Sequence, residues 1–169
     1  MYLRVPKFLD DEAMKLVDDF LAAGSFIDGA ATTGTPTKSV KKNLQIDFGS
    51  HPKRDEFLQL ITAKVNANAM MRATALPHRM TYPLISKYET GMSYGWHIDN
   101  PIMPSMGNPV RTDIACTIFI SGSSDYDGGE LTVRTASGDI RVKLERGDAF
   151  VYPATSRHQV MEVTRGERL

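Results

Sequence analysis

Read as a pattern of apolar and polar positions, the chain has two grammars, one before Pro77 and one after it. Over residues 9–23, Met14, Val17, Phe20 and Leu21 recur at helical spacing, which sets them on one stripe of an amphipathic helix. Asp10, Asp11 and Glu12 suit the positive N-terminal end of that helix, and Gly24 supplies a stop. A second helix is predicted over residues 53–72, with Phe57, Leu58, Ile61, Val65 and Ala69 on its apolar stripe. Residues 25–42, between the helices, are rich in Gly, Thr and Lys and read as an irregular or short-stranded excursion. Both stripes are assigned to core packing.

After Pro77 the period shortens. Runs over residues 84–88, 113–121, 130–135, 140–144, 149–152 and 159–163 are rich in β-branched and aromatic residues. Turn signals separate them: Gly122, Asp127-Gly128-Gly129, Ser137-Gly138, Arg146-Gly147 and Arg165-Gly166. Many short strands at this spacing predict a sandwich, jelly roll or barrel. With no repeat at a solenoid period and no linker between the halves, the helices read as buttresses on one β domain of the α+β class.

Composition narrows the chemistry. A chain of 169 residues fits one core. Its 20 basic and 20 acidic residues cancel, which excludes a general nucleic-acid or anionic-membrane binder. No run approaches the ~18 apolar residues of a membrane span, and the N-terminus lacks the apolar core of a signal peptide. The single cysteine, Cys116, excludes an intrachain disulfide and any Cys-based zinc or iron–sulfur site, so a cytoplasmic protein is expected. Any metal site built by the chain must draw on four histidines and on carboxylates.

Two of those histidines stand in a telling pattern. His97-Ile98-Asp99 follows Tyr94-Gly95-Trp96 where a strand is expected to end. In a strand, residues i and i+2 share a face, so one imidazole and one carboxylate point at the same spot while Ile98 anchors the strand in apolar packing. His158 lies some sixty positions on, after the strand-to-turn run Gly147-Asp148-Ala149-Phe150-Val151-Tyr152-Pro153. Two imidazoles and one carboxylate occupy one face of an octahedral metal and leave the opposite positions open, the arrangement of non-haem Fe(II) oxygenases. Arg168 follows ten positions later, and a guanidinium there can hold a distant carboxylate through two parallel hydrogen bonds.

Other candidates are read structurally. His51 is expected as a solvated or capping residue and His78 as structural; Cys116, mid-strand, as a buried small hydrophobe. Asp125 and Asp127 belong to a tight turn, and Lys38, Lys41 and Lys42 to a solvated basic face. Trp96 is expected to pack away from His97. The segment 100–111, with Pro101, Pro104, Pro109, Met103 and Met106, leaves directly from the His97 motif and reads as a substrate-recognising lid.

A longer set of segments carries a family resemblance: Lys87-Tyr88-Glu89, Gly91-Met92-Ser93-Tyr94-Gly95-Trp96-His97-Ile98-Asp99-Asn100, Tyr126-Asp127-Gly128-Gly129-Glu130-Leu131, Gly147-Asp148, Tyr152-Pro153, His158 and Arg168. Phe26-Ile27-Asp28-Gly29 and Val40-Lys41-Lys42-Asn43-Leu44-Gln45 extend it into the N-terminal part. Together they resemble the Fe(II)/2-oxoglutarate-dependent dioxygenases, and more narrowly the bacterial PKHD-type hydroxylases, named for a prolyl/lysyl hydroxylase domain. The resemblance implies a double-stranded β-helix (jelly roll) with N-terminal supporting helices. It implies His97, Asp99 and His158 as ligands of Fe(2+), Arg168 as the partner of the 2-oxoglutarate C5 carboxylate, and Tyr88 as a hydrogen-bond partner of that cosubstrate. L-ascorbate is the implied reductant. The implied reaction couples oxidative decarboxylation of 2-oxoglutarate by O2 to hydroxylation of a protein prolyl or lysyl side chain or of a small molecule.

Residues 1–78 then read as a helical buttress and 79–169 as the jelly-roll core. Relatives continue past Arg168 by roughly 50 residues, so the core reads as cut short, with Arg168 at a fraying strand end. Two other classes stay open on the residues alone: a cupin-like metal enzyme that does not use 2-oxoglutarate, and a non-catalytic jelly-roll binding module. Nothing in the pattern encodes an oligomeric state.

Overall fold

The computed structural model describes residues 1–32, 35–104 and 108–169, with backbone alone over 31–32 and 35–37. In chain order the first elements are β1 (Leu3–Val5), α1 (Asp11–Ala23), β2 (Phe26–Asp28), β3 (Lys41–Lys42), β4 (Leu44–Ile46), α2 (Arg54–Ala67) and α3 (Ala69–Ala75). The strands β5 (Ser86–Glu89), β6 (Ser93–His97), β7 (Ile102–Met103), β8 (Val110–Arg111) and β9 (Ile114–Ile118) follow. Then come β10 (Tyr126–Gly128), β11 (Leu131–Thr135), β12 (Gly138–Val142), β13 (Ala149–Pro153), β14 (His158–Val160) and β15 (Val163–Arg168).

The strands form two layers. One holds the order β12-β11-β14-β6-β3. The other joins β1-β13-β9 to β10-β15-β5-β4-β2, stitched where the Ile120 and Ser121 amides donate to the Leu169 carbonyl at 3.1 and 3.3 Å. These strands pair antiparallel, and neighbours in space are distant in sequence, as in a jelly roll. Four of the strands, β1 to β4, come from residues before 47.

Alternation along β13 explains the packing. Ala149 and Val151 face outward onto the helices, in one core with Val17 and Phe20 of α1, Phe57 and Ile61 of α2 and Met71 of α3. Phe150 and Tyr152 face inward and join Phe119, Leu131, Val133 and Val142 between the layers. Each such aliphatic or aromatic side chain taken fully from water contributes about 1.5–3 kcal/mol. Asp148, just before β13, is buried and ties the N-terminal segment down: its carboxylate accepts from Arg4 Nη2 at 2.6 Å and from the Lys7 amide at 2.9 Å. Gly147, at φ +85°, meets the Leu9 backbone so closely that a Cβ would overlap the Leu9 carbonyl. The Gly147-Asp148 pair is therefore a clamp for β1 and the entry to α1.

Several expectations are corrected. The single helix over 53–72 is two, because Asn68 ends α2 and caps α3, its side chain accepting from the Met71 amide at 3.0 Å. Ala69 consequently leaves the stripe and is exposed, while Met71 is buried. The run 159–163 is split between the layers, β14 in one and β15 in the other. Gly128 borders that crossover at φ +70°, where a Cβ would overlap the Glu162 carbonyl oxygen. Arg165-Gly166 is no turn but the interior of β15, with Gly166 opposite Tyr126.

Burial corrects four residues. Cys116 is exposed, since β9 is the edge of its three-stranded sheet. Ile98 is 55 % exposed and anchors nothing. Lys41 is buried, on the inward side of β3. His51 is structural but not solvated: it is buried, stacked on Phe20, with Nε2 2.9 Å from the Phe20 carbonyl and Nδ1 accepting from the Lys53 amide. Trp96 is half-buried, flanked by the guanidiniums of Arg134 and Arg157 at 4.3 and 5.7 Å. Within the segment 100–111, β7 and β8 pair as a two-stranded sheet; Met106 lies outside the described residues. Among the described residues no helix is long and apolar enough to cross a membrane.

Candidate metal centre and cosubstrate pocket

β6 ends at His97 and β14 begins at His158, and the antiparallel register sets the two directly opposite one another. Two residues farther along β14, Val160 lies opposite Tyr94, three residues back along β6. That one-residue bulge turns Tyr94 to the same face as His97, and the two rings stack at 3.5 Å. Both histidines are buried. Each turns Nδ1 onto a carbonyl of its own chain: His97 onto Gly95 at 2.8 Å, His158 onto Ser156 at 3.0 Å. A neutral imidazole that donates from Nδ1 leaves the Nε2 lone pair for a metal.

Both Nε2 atoms lie 3.8 Å from the same carboxylate oxygen, Asp99 Oδ1. The three donor atoms fall within 4.8 Å of one another. Metal bonds of about 2.1 Å need neighbouring donors roughly 3 Å apart, a small contraction that the half-exposed Asp99 can supply. Burial pushes His97 down to about 4, with repulsion from His158 adding to it, so at neutral pH this imidazole is uncharged and ready to ligate. Burial raises the Asp99 carboxyl, against the pull of His158. Tyr152 closes the floor edge-on to His158 at 5.2 Å. The donor set is the one that suits Fe(2+) with open coordination positions.

Arg168 stands on the neighbouring layer. It is the last residue of β15, but it is buried and paired opposite Tyr88 of β5, so this strand end is held in the sheet. Its guanidinium sits 5.2 Å from the Tyr88 ring and 5.6 Å from that of Phe119. Its Nε is buried with no hydrogen-bond partner among the described residues, and so is the Tyr126 hydroxyl. Burial raises the phenols of Tyr88 and Tyr126 while the charge of Arg168 pulls both back. A buried cation with an unmet donor fits a carboxylate such as that of 2-oxoglutarate, because leaving it unmet costs several kcal/mol.

The structure thus brings His97, Asp99 and His158 to one point and sets Arg168 beside Tyr88. Residues the sequence reading left aside also line the region. Lys41, Asn43 and Gln45 are all buried and alternate with Lys42 and Leu44. The period-two polar stripe of this segment is a signal that could have found them, but alternation alone does not say which face is inward.

Comparison with known proteins agrees with this geometry. A family model described as the 2OG-Fe(II) oxygenase superfamily matches residues 83–169. A PKHD-type hydroxylase of Hyphomonas neptunium is 41% identical over 171 residues, covering 100% of this chain and 75% of the relative. One from Paraburkholderia phytofirmans is 41% identical over 173 residues with the same coverage. A Pseudomonas putida prolyl-4-hydroxylase superposes with a TM-score of 0.70 over 99% of this chain and 88% of its own; at 19% identity it shares the fold. The chain spans three quarters of the length of the PKHD-type relatives, 75% in each of these two. Family membership brings Fe(2+) and 2-oxoglutarate, with L-ascorbate as the usual reductant, and O2 as the oxidant. The chain therefore belongs to the 2OG-Fe(II) oxygenase superfamily and, within it, to the PKHD-type hydroxylases, dioxygenases that couple decarboxylation of 2-oxoglutarate to hydroxylation of a substrate.

Proposed function

We propose that His97 Nε2, His158 Nε2 and the Asp99 carboxylate hold the Fe(2+), that Arg168 binds the C5 carboxylate of 2-oxoglutarate, and that the Tyr88 phenol donates a hydrogen bond to the same cosubstrate. The convergence of two imidazole Nε2 atoms on one carboxylate oxygen carries this reading. The partnerless Nε of buried Arg168 supports the second part. When bound, iron and cosubstrate supply the chemistry that turns 2-oxoglutarate, O2 and a C–H bond into succinate, carbon dioxide and a hydroxyl group. The chain's own residues position and shield. The Nδ1 contacts hold both imidazoles in the ligating tautomer, Arg168 orients the cosubstrate, and the apolar core around Phe119, Phe150 and Tyr152 keeps water from the pocket.

The substrate is a prolyl or lysyl side chain of a protein, or a small molecule. The reducing cytoplasm is the working compartment, in keeping with one unpaired cysteine, Cys116. The test is Fe(2+)- and O2-dependent succinate release, read together with Mn(2+) affinity. His97→Ala and Asp99→Ala are expected to lose both by at least a hundredfold; full release by either variant would overturn the ligand assignment.

A further inference from the structure

β6 and β14 turn their histidines to the inner face of the metal layer, so the residues just before them turn to its outer face. Trp96 precedes His97, and Arg157 precedes His158. Arg134 of β11 follows Val133, which lies opposite His158 and is buried between the layers. The Arg134 amide donates to the Arg157 carbonyl at 2.9 Å, which sets the two arginines side by side. Their guanidiniums converge on the Trp96 ring at 4.3 and 5.7 Å. This outer platform lies at the same sheet end as the metal centre, since β6 ends at His97 and β14 begins at His158. Ile98, 55 % exposed, carries the chain over that edge to Asp99.

The two arginines differ in what they meet. Arg134 is neutralised by Asp139, its Nε and Nη2 donating to the two carboxylate oxygens at 2.9 and 3.1 Å. Arg157 is exposed and has no ion pair among the described residues; its recorded contact is the Trp96 ring. Arg141 of β12, exposed two positions beyond Asp139, adds a further positive charge to this face. The chain as a whole has a net charge of zero, so the excess is local. A guanidinium laid on an indole is fixed in orientation while its N–H edge stays open to a carboxylate. A nucleic acid needs a track of phosphate contacts, and Asp139 interrupts this short one. The way round a sheet end, from inner face to outer, is on the order of 10–15 Å, which an extended chain covers in roughly three to five residues. A small molecule does not reach that far.

We propose that Arg157, ordered on Trp96 and flanked by Arg134, docks an acidic side chain of the hydroxylation substrate, roughly three to five residues from the one that is hydroxylated. The substrate class is then a protein segment with a glutamate or aspartate at that distance. The inference rests on the metal assignment above, which puts the reacting residue at this end of the sheet.

Trp96 is the one tryptophan of the chain, so its emission reports directly on the platform. The chain is loaded with Mn(2+) and saturating N-oxalylglycine, a non-reacting analogue of 2-oxoglutarate, and titrated with two peptides. Both have a central proline; one carries glutamates at the stated distance on either side, the other glutamines. The glutamate peptide is expected to bind about tenfold more tightly. Arg157→Gln should abolish that preference and Arg157→Glu should reverse it. N-oxalylglycine affinity within threefold of the parent chain reports that each variant still folds its pocket. In the bound glutamate peptide, Mn(2+) should relax the proline protons more strongly than those of the peptide ends. Equal affinity for the two peptides, or a preference that persists in Arg157→Gln, overturns the proposal. So does a bound peptide whose proline is not relaxed, because it docks away from the metal. Oligothymidylate binding more tightly than the glutamate peptide, and lost in Arg157→Gln, assigns the face to nucleic acid and overturns it too. Failure of the parent chain to take up Mn(2+) or the analogue is a different result: the metal reading falls, and the substrate role of the platform with it, whatever Trp96 emission reports.

Discussion

Replacing Arg168 by Met separates cosubstrate binding from folding. The guanidinium is buried beside Tyr88 and Phe119, with Nε unmet, so a carboxylate arriving there gains charge-assisted hydrogen bonds without competing water. Each such bond is worth about 1.5–3 kcal/mol, and two of them set the expected loss at about 3–6 kcal/mol. At about 1.4 kcal/mol per decade this is a Kd weakened by roughly 10²- to 10⁴-fold. Stability should move the other way or not at all. Met is a long apolar replacement for a buried charge without a full set of partners, an exchange that is neutral or stabilising by about 1–4 kcal/mol in comparable sites. The lost contacts with the two rings, about 1–2 kcal/mol in a dry setting, offset part of that gain. The assay is calorimetric titration of the Mn(2+)-loaded chain with N-oxalylglycine, beside urea unfolding of the metal-free chain. An affinity within threefold of the parent would refute the assignment of Arg168. A fall in stability of more than about 2 kcal/mol would instead show the guanidinium to be a structural brace.

Three further outcomes are expected. Gly128→Ala forces a side chain into φ +70° and against the Glu162 carbonyl, so a loss of about 2–3 kcal/mol or more should appear in urea unfolding; an unchanged midpoint would mean that β10 peels away freely. Phe20→Ala removes a ring that stacks on Phe57 at 4.2 Å and on His51 at 3.6 Å and should cost about 3–5 kcal/mol; a loss under 1 kcal/mol would place α1 outside the core. Lys41 gives a pH signature. Its pKa falls from 10.5 in the unfolded chain to about 8 in the fold, so between these values the unfolded chain binds more protons and stability rises with pH. The cost of the buried charge is fully present below pH 8 and fades towards pH 10.5. Lys41→Met should therefore be more stable than the parent at pH 7, with a gap that narrows by pH 9.5; a gap that stays constant refutes the burial of a charged amine.

The metal motif was legible because strand geometry is local. His97 and Asp99 two positions apart, and His158 heading a later strand, follow from a period of two and from the donor chemistry of imidazole and carboxylate. The stripe of α1 was legible for the same reason, since 3.6-residue periodicity and an Asp10 cap act within one turn. Asn68 was harder, because its side chain competes for the backbone of a helix that propensity alone would continue.

What neighbours decide, the chain alone left open. Alternation in Val40-Lys41-Lys42-Asn43-Leu44-Gln45 is plain, but whether the polar set faces water or the interior depends on which strands lie alongside, and β6 and β5 turn it inward. Arg168 has no local reason to be ordered; pairing with Tyr88 and burial against Phe119 hold it. Cys116 has the setting of a core residue and is exposed because β9 is an edge. The sequence by itself determined the donors, the strand period and the helical stripes, which are properties of a few consecutive residues. Tertiary structure decided which donors meet, which polar groups are stranded inside and which glycines must stay bare, because each of these depends on backbone brought together from distant parts of the chain.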